Sequence, residues 1–207
     1  MNKINPSFRP MCYRCNRSMK NCLCHFIHPV ETKTRFVILM HPKEYKHIKN
    51  NTGRLTNLSL PNSQIFVGVD FSHHKQLNEI INNQENYCAV LFPSQNSINL
   101  NTQPLDIKKK KLVIFVIDAT WSSAKPILRL SQNLQHLPKV SFSHTKTSKY
   151  SFKRQPFVQA LSTMESVLCI LEILHKKGIE NFDRNKLEKF LLPFEEMIKF
   201  QLSYKKS

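Results

Sequence analysis

The sequence predicts an α/β protein: a mainly parallel sheet with helices on both faces and a small cysteine-rich segment at its N-terminal end. Three observations predict it. Short apolar runs alternate with segments of helical spacing, the pattern of crossover-connected strands. Residues 112–117, LVIFVI, form an unbroken run rich in β-branched side chains, as a strand buried on both faces requires. No internal repeat and no long linker interrupts the 207 residues, which suffice for one proper core. The predicted division is a cysteine-rich segment over residues 1–30 and one domain over residues 31–207.

Composition narrows the function. The 41% hydrophobic content is that of a globular chain, and no apolar run reaches the length of a membrane span. The opening MNKINPSFRP lacks an apolar h-region, which predicts a cytoplasmic protein without a secretory signal. Basic residues number 31 against 14 acidic ones, a net charge of +17. That excess predicts a polyanionic partner, most simply nucleic acid, with an anionic membrane surface as the alternative. It is concentrated in two acid-free segments. Lys3, Arg9, Arg14, Arg17 and Lys20 precede the first acid, Glu31, and Lys125, Arg129, Lys139, Lys146, Lys149, Lys153 and Arg154 lie between Asp118 and Glu165. The three glycines, Gly53, Gly68 and Gly178, cannot form a GxGxxG or P-loop motif, so phosphate-cradling loops of those kinds are excluded.

In chain order, Cys12-x2-Cys15 and Cys22-x-Cys24 come first, in a short loop-rich stretch. Two close cysteine pairs suit a tetrahedral, structural zinc site of four thiolates, with His25 as an alternative ligand. The competing reading is a reduced or disulfide-linked loop, and disulfides are disfavoured in a chain without a signal. Arg35–Met40 is the first strand, stopped by His41-Pro42. Asn51-Thr52-Gly53 reads as a turn with φ > 0 chemistry leading into a short helix, and Arg54 beyond it is a candidate phosphate ligand or simply an exposed arginine. Residues 65–69 and 87–92 are further buried strands, with a helix at Lys75–Asn82 between them. Cys88 and, later, Cys169 sit in apolar segments as core residues. Residues 93–111 are a polar loop ending in four lysines, a solvated run that could also face nucleic acid.

The strand at 112–117 ends in Asp118, and a carboxylate at the C-terminal end of a buried strand stands where open α/β folds bind ligands. The plainer reading has Asp118 capping the next helix and Trp121, the one tryptophan, filling core. That helix begins at Ser122 or Ser123, with Pro126 within about its first turn. Residues 139–142 form another strand, and the basic stretch 144–154 offers Ser148, Tyr150 and Arg154 as RNA contacts. Residues 161–175 form a helix opened by a Ser162-Thr163-x-Glu165 capping signal and stopped by Gly178. An amphipathic helix over residues 186–202, interrupted near Pro193, completes the chain. HExxH and GxSxG patterns are absent, and no Ser/His/Asp triad is fixed by the sequence. What remains is a rim where Pro93-Ser94, residues 118–121 and residues 161–165 would converge to bind a small ligand beside a basic surface.

These residues resemble the DTW-domain proteins. The resemblance runs through Arg9-Pro10, the four cysteines, His41-Pro42-x-Glu44, residues 51–55 (NTGRL), residues 60–63 (LPNS), residues 91–94 (LFPS) and the namesake Asp118-Ala119-Thr120-Trp121. It continues through Ser148-x-Tyr150, Arg154-Gln155-Pro156 and Leu161-Ser162-Thr163-x-Glu165. Lys153 departs from the arginine usual after the Ser-x-Tyr element, with Arg154 beside it, and Ser166 stands where alanine is common. The resemblance implies a SPOUT-like, knotted α/β fold and a tRNA-uridine aminocarboxypropyltransferase. Such an enzyme takes the 3-amino-3-carboxypropyl group of S-adenosylmethionine to N3 of a tRNA uridine and releases 5′-methylthioadenosine. It further implies Asp118, Thr120 and Trp121 as the catalytic group, with Asp118 a general base or hydrogen-bond acceptor. Phe92, Pro93, Ser94, Leu161, Ser162 and Thr163 would bind S-adenosylmethionine. Arg54, Ser148, Tyr150 and Arg154 would bind tRNA, and Cys12, Cys15, Cys22 and Cys24 would hold structural Zn2+. The expected partner is tRNA, with no membrane, and the expected state a monomer. Two other readings are a SPOUT-like RNA methyltransferase and a non-catalytic zinc-containing RNA-binding protein.

Overall fold

The computed structural model describes residues 10–47, 50–143 and 161–205. A small antiparallel hairpin comes first, β1 (Met11–Cys12) with β2 (Arg17–Ser18). Asn16, at φ 56°, makes its tight turn, and its amide donates to the Cys12 carbonyl at 2.8 Å.

The body of the protein is a six-stranded sheet. Its strands are β3 (Arg35–Met40), β4 (Ser63–Val67), β5 (Asn86–Leu91), β6 (Ile98–Asn99), β7 (Lys111–Asp118) and β8 (Lys139–Ser141). They lie in the order β4-β3-β7-β5-β8-β6, and every pair is parallel. The run 112–117 is therefore the central strand β7, inserted between β3 and β5. Leu112 to Val116 are at most 3% exposed, which explains a sequence without polar alternation.

Helices cover both faces, as the sequence predicts. On one face, α2 (Thr52–Ser59), α6 (Thr163–Lys176) and α8 (Leu192–Lys205) pack with Leu55, Met164, Val167, Ile170, Phe194 and Met197 against Phe36, Ile114 and Val116. On the other, α3 (Lys75–Asn82), α4 (Trp121–Leu130) and α5 (Gln132–Gln135) bring Leu77, Ile80, Ile127 and Leu134 onto Val37, Leu39, Val113 and Phe115. Two short α-helices, α1 (Pro42–His47) and α7 (Arg184–Glu188), and two 3-10 turns, Met19–Asn21 and Cys24–Phe26, complete the described elements. Burial of large side chains on both faces, at about 1.5–3 kcal/mol each, makes this sheet the dominant source of stability.

Several boundaries differ from the expectation for local reasons. β4 begins two residues early, because Ser63 pairs with Phe36 and its hydroxyl donates to the Leu60 carbonyl at 2.6 Å. Gly53 is no φ > 0 turn residue; it lies inside α2, whose N-cap is Asn51. The helix after β7 is capped by Thr120 rather than Ser122 or Ser123, and Pro126 lies one turn deeper than expected. The polar stretch 93–111 contains the edge strand β6, too short to leave a period in the sequence. The last predicted helix is divided into α7 and α8, with Pro193 in the first turn of α8, where its missing amide costs nothing. The capping box of α6 and the stop at Gly178 (φ 72°) are as predicted. Cys88 and Cys169 are core residues, and burial raises the Cys88 thiol to about 11. The knot implied by the resemblance turns on the path between β8 and α6, residues 144–160, outside the described residues.

Candidate active site

Parallel strands end together, so their C-terminal ends form one rim. At that rim lies a cavity of about 460 Å³, within the ~300–1,000 Å³ typical of small-molecule sites. Its floor is Leu91, Val116 and Ile117 at the ends of β5 and β7. Phe92 and Pro93 close one side, Ala119, Trp121 and Ala124 another, and Ser141, Phe142 and Ser143 a third. Leu161, Thr163 and Ser166 at the start of α6 complete the wall.

The structure thus brings Phe92, Pro93, Trp121, Leu161 and Thr163 onto one cavity. Trp121 is not core: it is 38% exposed and tilts against Phe92 with ring centroids 6.2 Å apart. Thr120 stands exposed beside it, its hydroxyl 2.9 Å from Ser122 Oγ and 3.1 Å from Ser123 Oγ. Ser94 lies on the exposed loop past Pro93, its amide donating to Ser97 Oγ at 3.3 Å. Ser162 spends its side chain locally: its Oγ accepts the Glu165 amide and its own amide donates to the Glu165 carboxylate at 2.8 Å.

Asp118 behaves differently from its neighbours. It is 7% exposed, and Ile117 and Ala119 on either side line the cavity while its carboxylate turns behind the wall. Asn51 Nδ2 donates to one carboxylate oxygen at 2.6 Å, and the Thr163 hydroxyl donates to the other at 2.6 Å. One aspartate thereby joins β7 to the first turns of α2 and α6. Gly53 serves the same contact, since a Cβ there would lie 2.5 Å from the Asp118 oxygen. Asn51 is doubly used, for its side-chain oxygen also accepts the Arg54 amide at 2.7 Å. In the sequence Asn51 reads only as part of a turn leading into a short helix, with no role at the site. Sequence reading also missed Phe142 and Ser143, although the end of a predicted rim strand was signal enough.

Arg54 sits one turn into α2, near the same rim. Its guanidinium lies 4.6 Å from the centre of the Tyr45 ring, a cation–π arrangement, and also donates to the Tyr45 carbonyl at 3.4 Å. Ser148, Tyr150 and Arg154 lie outside the described residues. The lysine run belongs to the opposite edge: Lys111 begins β7 and Asp118 ends it, a separation of about 23 Å at ~3.3 Å per residue. There Lys111 pairs with Glu85 at 2.8 Å, so this run does not share the cavity's rim.

The four cysteines converge, with all sulfurs within 4.8 Å of one another. Cys12 and Cys24 Sγ are 3.6 Å apart, Cys15 and Cys22 Sγ 3.7 Å. A tetrahedron with Zn–S of ~2.3 Å has edges of about 3.8 Å, whereas a disulfide needs ~2.05 Å. The set therefore fits a tetrahedral metal, and His25 is not needed. Amides of Cys15 and Arg14 hold the Cys12 thiol down at about 6, while burial raises Cys22 and Cys24, a mismatch that a bound cation would level. Arg17, on β2, donates to the Asn50 side chain and so ties the hairpin to the residue before Asn51. Among the described residues no helix is long and apolar enough to cross a membrane.

The model of the DTW domain matches residues 9–202. Two relatives named tRNA-uridine aminocarboxypropyltransferase 2, from Macaca fascicularis and Mus musculus, are each 30% identical over 200 residues, covering 95% of this chain and 65% of theirs. A protein named tRNA-uridine aminocarboxypropyltransferase A, from Arabidopsis thaliana, is 26% identical over 224 residues, covering 96% of this chain and 83% of its own. The chain thus spans just under two thirds of the two mammalian relatives. No solved structure matches it.

Proposed function

The chain belongs to the DTW-domain family, and from that premise we propose that it transfers the 3-amino-3-carboxypropyl group of S-adenosylmethionine to N3 of a tRNA uridine. The observation that carries the reading is the rim cavity: Ala119 and Trp121 of the namesake segment line it together with residues 91–93, Leu161 and Thr163, and Asp118 is bonded to that Thr163. Its apolar and aromatic walls suit an adenosine and a thioether. Phe92, Pro93, Leu161 and Thr163 are the donor's contacts, with Ser94 and Ser162 fixing the loops that carry them. Thr120 and Trp121 stand at the mouth, where an exposed indole can stack on a uracil lifted from the RNA. Arg54 is assigned to the RNA backbone, a role that the net charge of +17 supports. The same reading assigns Ser148, Tyr150 and Arg154 to tRNA, and has the protein act as a cytoplasmic monomer.

The chemistry asks little beyond alignment. A sulfonium is already an activated leaving group, so the rate depends on holding N3 in line with the Cγ–S bond and on removing the N3 proton. Asp118 is the carboxylate nearest that event, as acceptor or as orienting group. The four cysteines would hold Zn2+, which would fix the hairpin's fold and take no part in the transfer.

The test is direct. Purified protein, unmodified tRNA and S-adenosylmethionine should yield, on digestion and mass spectrometry, uridine carrying an aminocarboxypropyl adduct, with 5′-methylthioadenosine formed in equal amount. A methyl adduct with S-adenosylhomocysteine would make it an RNA methyltransferase. Salt-sensitive tRNA binding with no consumption of S-adenosylmethionine would leave only an RNA-binding protein.

A further inference from the structure

Asp118 poses a problem for any reading in which it accepts the substrate's proton: its carboxylate lies behind the cavity wall, 7% exposed. Thr163 resolves it. This residue lines the cavity and donates its hydroxyl to Asp118 at 2.6 Å, so it has one side toward the substrate and one toward the carboxylate. We infer that Thr163 is a catalytic residue, a hydroxyl relay that carries the uridine N3 proton to Asp118. The inference rests on the transfer reading above and adds the path by which the proton leaves.

The step balances as follows. The N3 lone pair forms the N3–Cγ bond of the new aminocarboxypropyl group. The Cγ–S bond breaks, its electron pair returns to sulfur, and neutral 5′-methylthioadenosine departs. The N3 proton passes to Thr163 Oγ1 as the Thr163 hydroxyl proton passes to Asp118, and the aspartic acid later returns a proton to water. A short hydroxyl–carboxylate bond is the geometry such a transfer needs.

Asn51 is the positioning residue of this path. Its Nδ2 occupies the Asp118 oxygen that does not face Thr163, at 2.6 Å. Because its Oδ1 is committed to the Arg54 amide, Asn51 cannot turn over without setting two donors against each other. The carboxylate is thus held with its other oxygen on the threonine. Thr163, as the first residue of α6, is fixed by the Ser162–Glu165 capping box. The relay therefore joins three rigid element ends and no mobile side chain.

The test separates binding from chemistry. The only tryptophan, Trp121, lies on the cavity wall, so its fluorescence reports donor binding without any reaction. The Thr163 hydroxyl is spent on Asp118, so its contact with the donor falls to the methyl and backbone; Thr163→Val keeps both and removes only the hydroxyl. It should bind S-adenosylmethionine within about threefold of wild type while single-turnover transfer at neutral pH falls about 100-fold or more. Its rate should climb with pH where the wild type has levelled, because hydroxide must take the N3 proton directly, and Thr163→Ser should regain most of the loss. In mixtures of H2O and D2O the wild-type single-turnover rate should curve with deuterium fraction, as two moving protons require. Transfer by Thr163→Val at the wild-type rate, or a loss of rate matched by loss of donor binding, would overturn the relay. So would a wild-type rate indifferent to D2O, which needs no variant to fold. If the wild type itself moves no aminocarboxypropyl group, the transfer reading fails and the relay falls with it; wild-type transfer with an active valine variant defeats the relay alone.

Discussion

The cysteine hairpin and the Asp118 contact are both small polar clusters, yet they are built in opposite ways. Cys12, Cys15, Cys22 and Cys24 lie within 13 residues, and their sulfurs meet because a tight turn at Asn16 folds the segment on itself. The Asp118 contact joins residues 67 and 45 positions apart, and it exists because β7, α2 and α6 are packed on one sheet. On the proposed reading the first depends on a bound metal; the second depends on the core. A cluster of the first kind should be lost locally, and one of the second kind should fail chemically while the fold survives.

Asp118→Asn gives the largest contrast. The new amide has one acceptor oxygen where two donors, Asn51 Nδ2 and the Thr163 hydroxyl, now bond the carboxylate, and it could no longer accept a proton. Transfer should fall by about three orders of magnitude or more, with donor affinity by Trp121 fluorescence nearly intact and zinc content unchanged. Normal turnover would remove Asp118 from the mechanism. Exchanging the pair, Asn51→Asp with Asp118→Asn, restores a donor and an acceptor to the contact. Thermal stability should recover in the exchanged protein and transfer should not; recovery of both would make Asp118 a structural link alone.

Next comes the hairpin. Cys12→Ser with Cys15→Ser should reduce metal content from about one zinc per chain to none, since tetrahedral sites need their full ligand set. Amide exchange should then be fast over the hairpin while the β3 and β7 amides stay protected, because their burial owes nothing to the thiolates. Loss of protection in β7 would show that the hairpin supports the whole domain.

Two smaller changes probe the packing around Asp118. Gly53→Ala forces a methyl to 2.5 Å from the carboxylate oxygen and 3.1 Å from Met40 Cε. Overpacking of this kind costs about 1–3 kcal/mol, visible as a lower Tm. Ser162→Ala removes the cap of α6, worth about 1 kcal/mol and about 2–4 °C in Tm for a chain of this size. A Gly53→Ala effect no larger than that of Ser162→Ala would mean that α2 yields easily, and that the close approach to Asp118 is not built in.

The same contrast explains what the sequence could say. The cysteine spacing is local, so the convergence of the four sulfurs was legible in the sequence. The parallel sheet was legible because a run such as residues 112–117 has no polar residue to spare for a solvent face. Asp118 was legible as a rim residue, since a strand end places it there whatever the loops do. Its partners were not, because nothing in Asn51 distinguishes an N-cap from an N-cap that also grips a distant carboxylate. Gly53 was read as a turn residue for the same reason: absence of a side chain signals backbone freedom and close approach alike. The family resemblance gathered these segments into one site, and the structure supplied the contact that makes Asp118 a buried group reached through Thr163.

On the proposed function, the rim cavity directs the carboxypropyl carbon of S-adenosylmethionine, not its methyl group, to a tRNA uridine. Two donors, one labelled in the methyl group and one in the carboxypropyl chain, each incubated with unmodified tRNA, decide the matter. Label should enter tRNA from the carboxypropyl donor only, and should be lost in Asp118→Asn. Label entering tRNA from the methyl donor, or from neither, would refute the proposal.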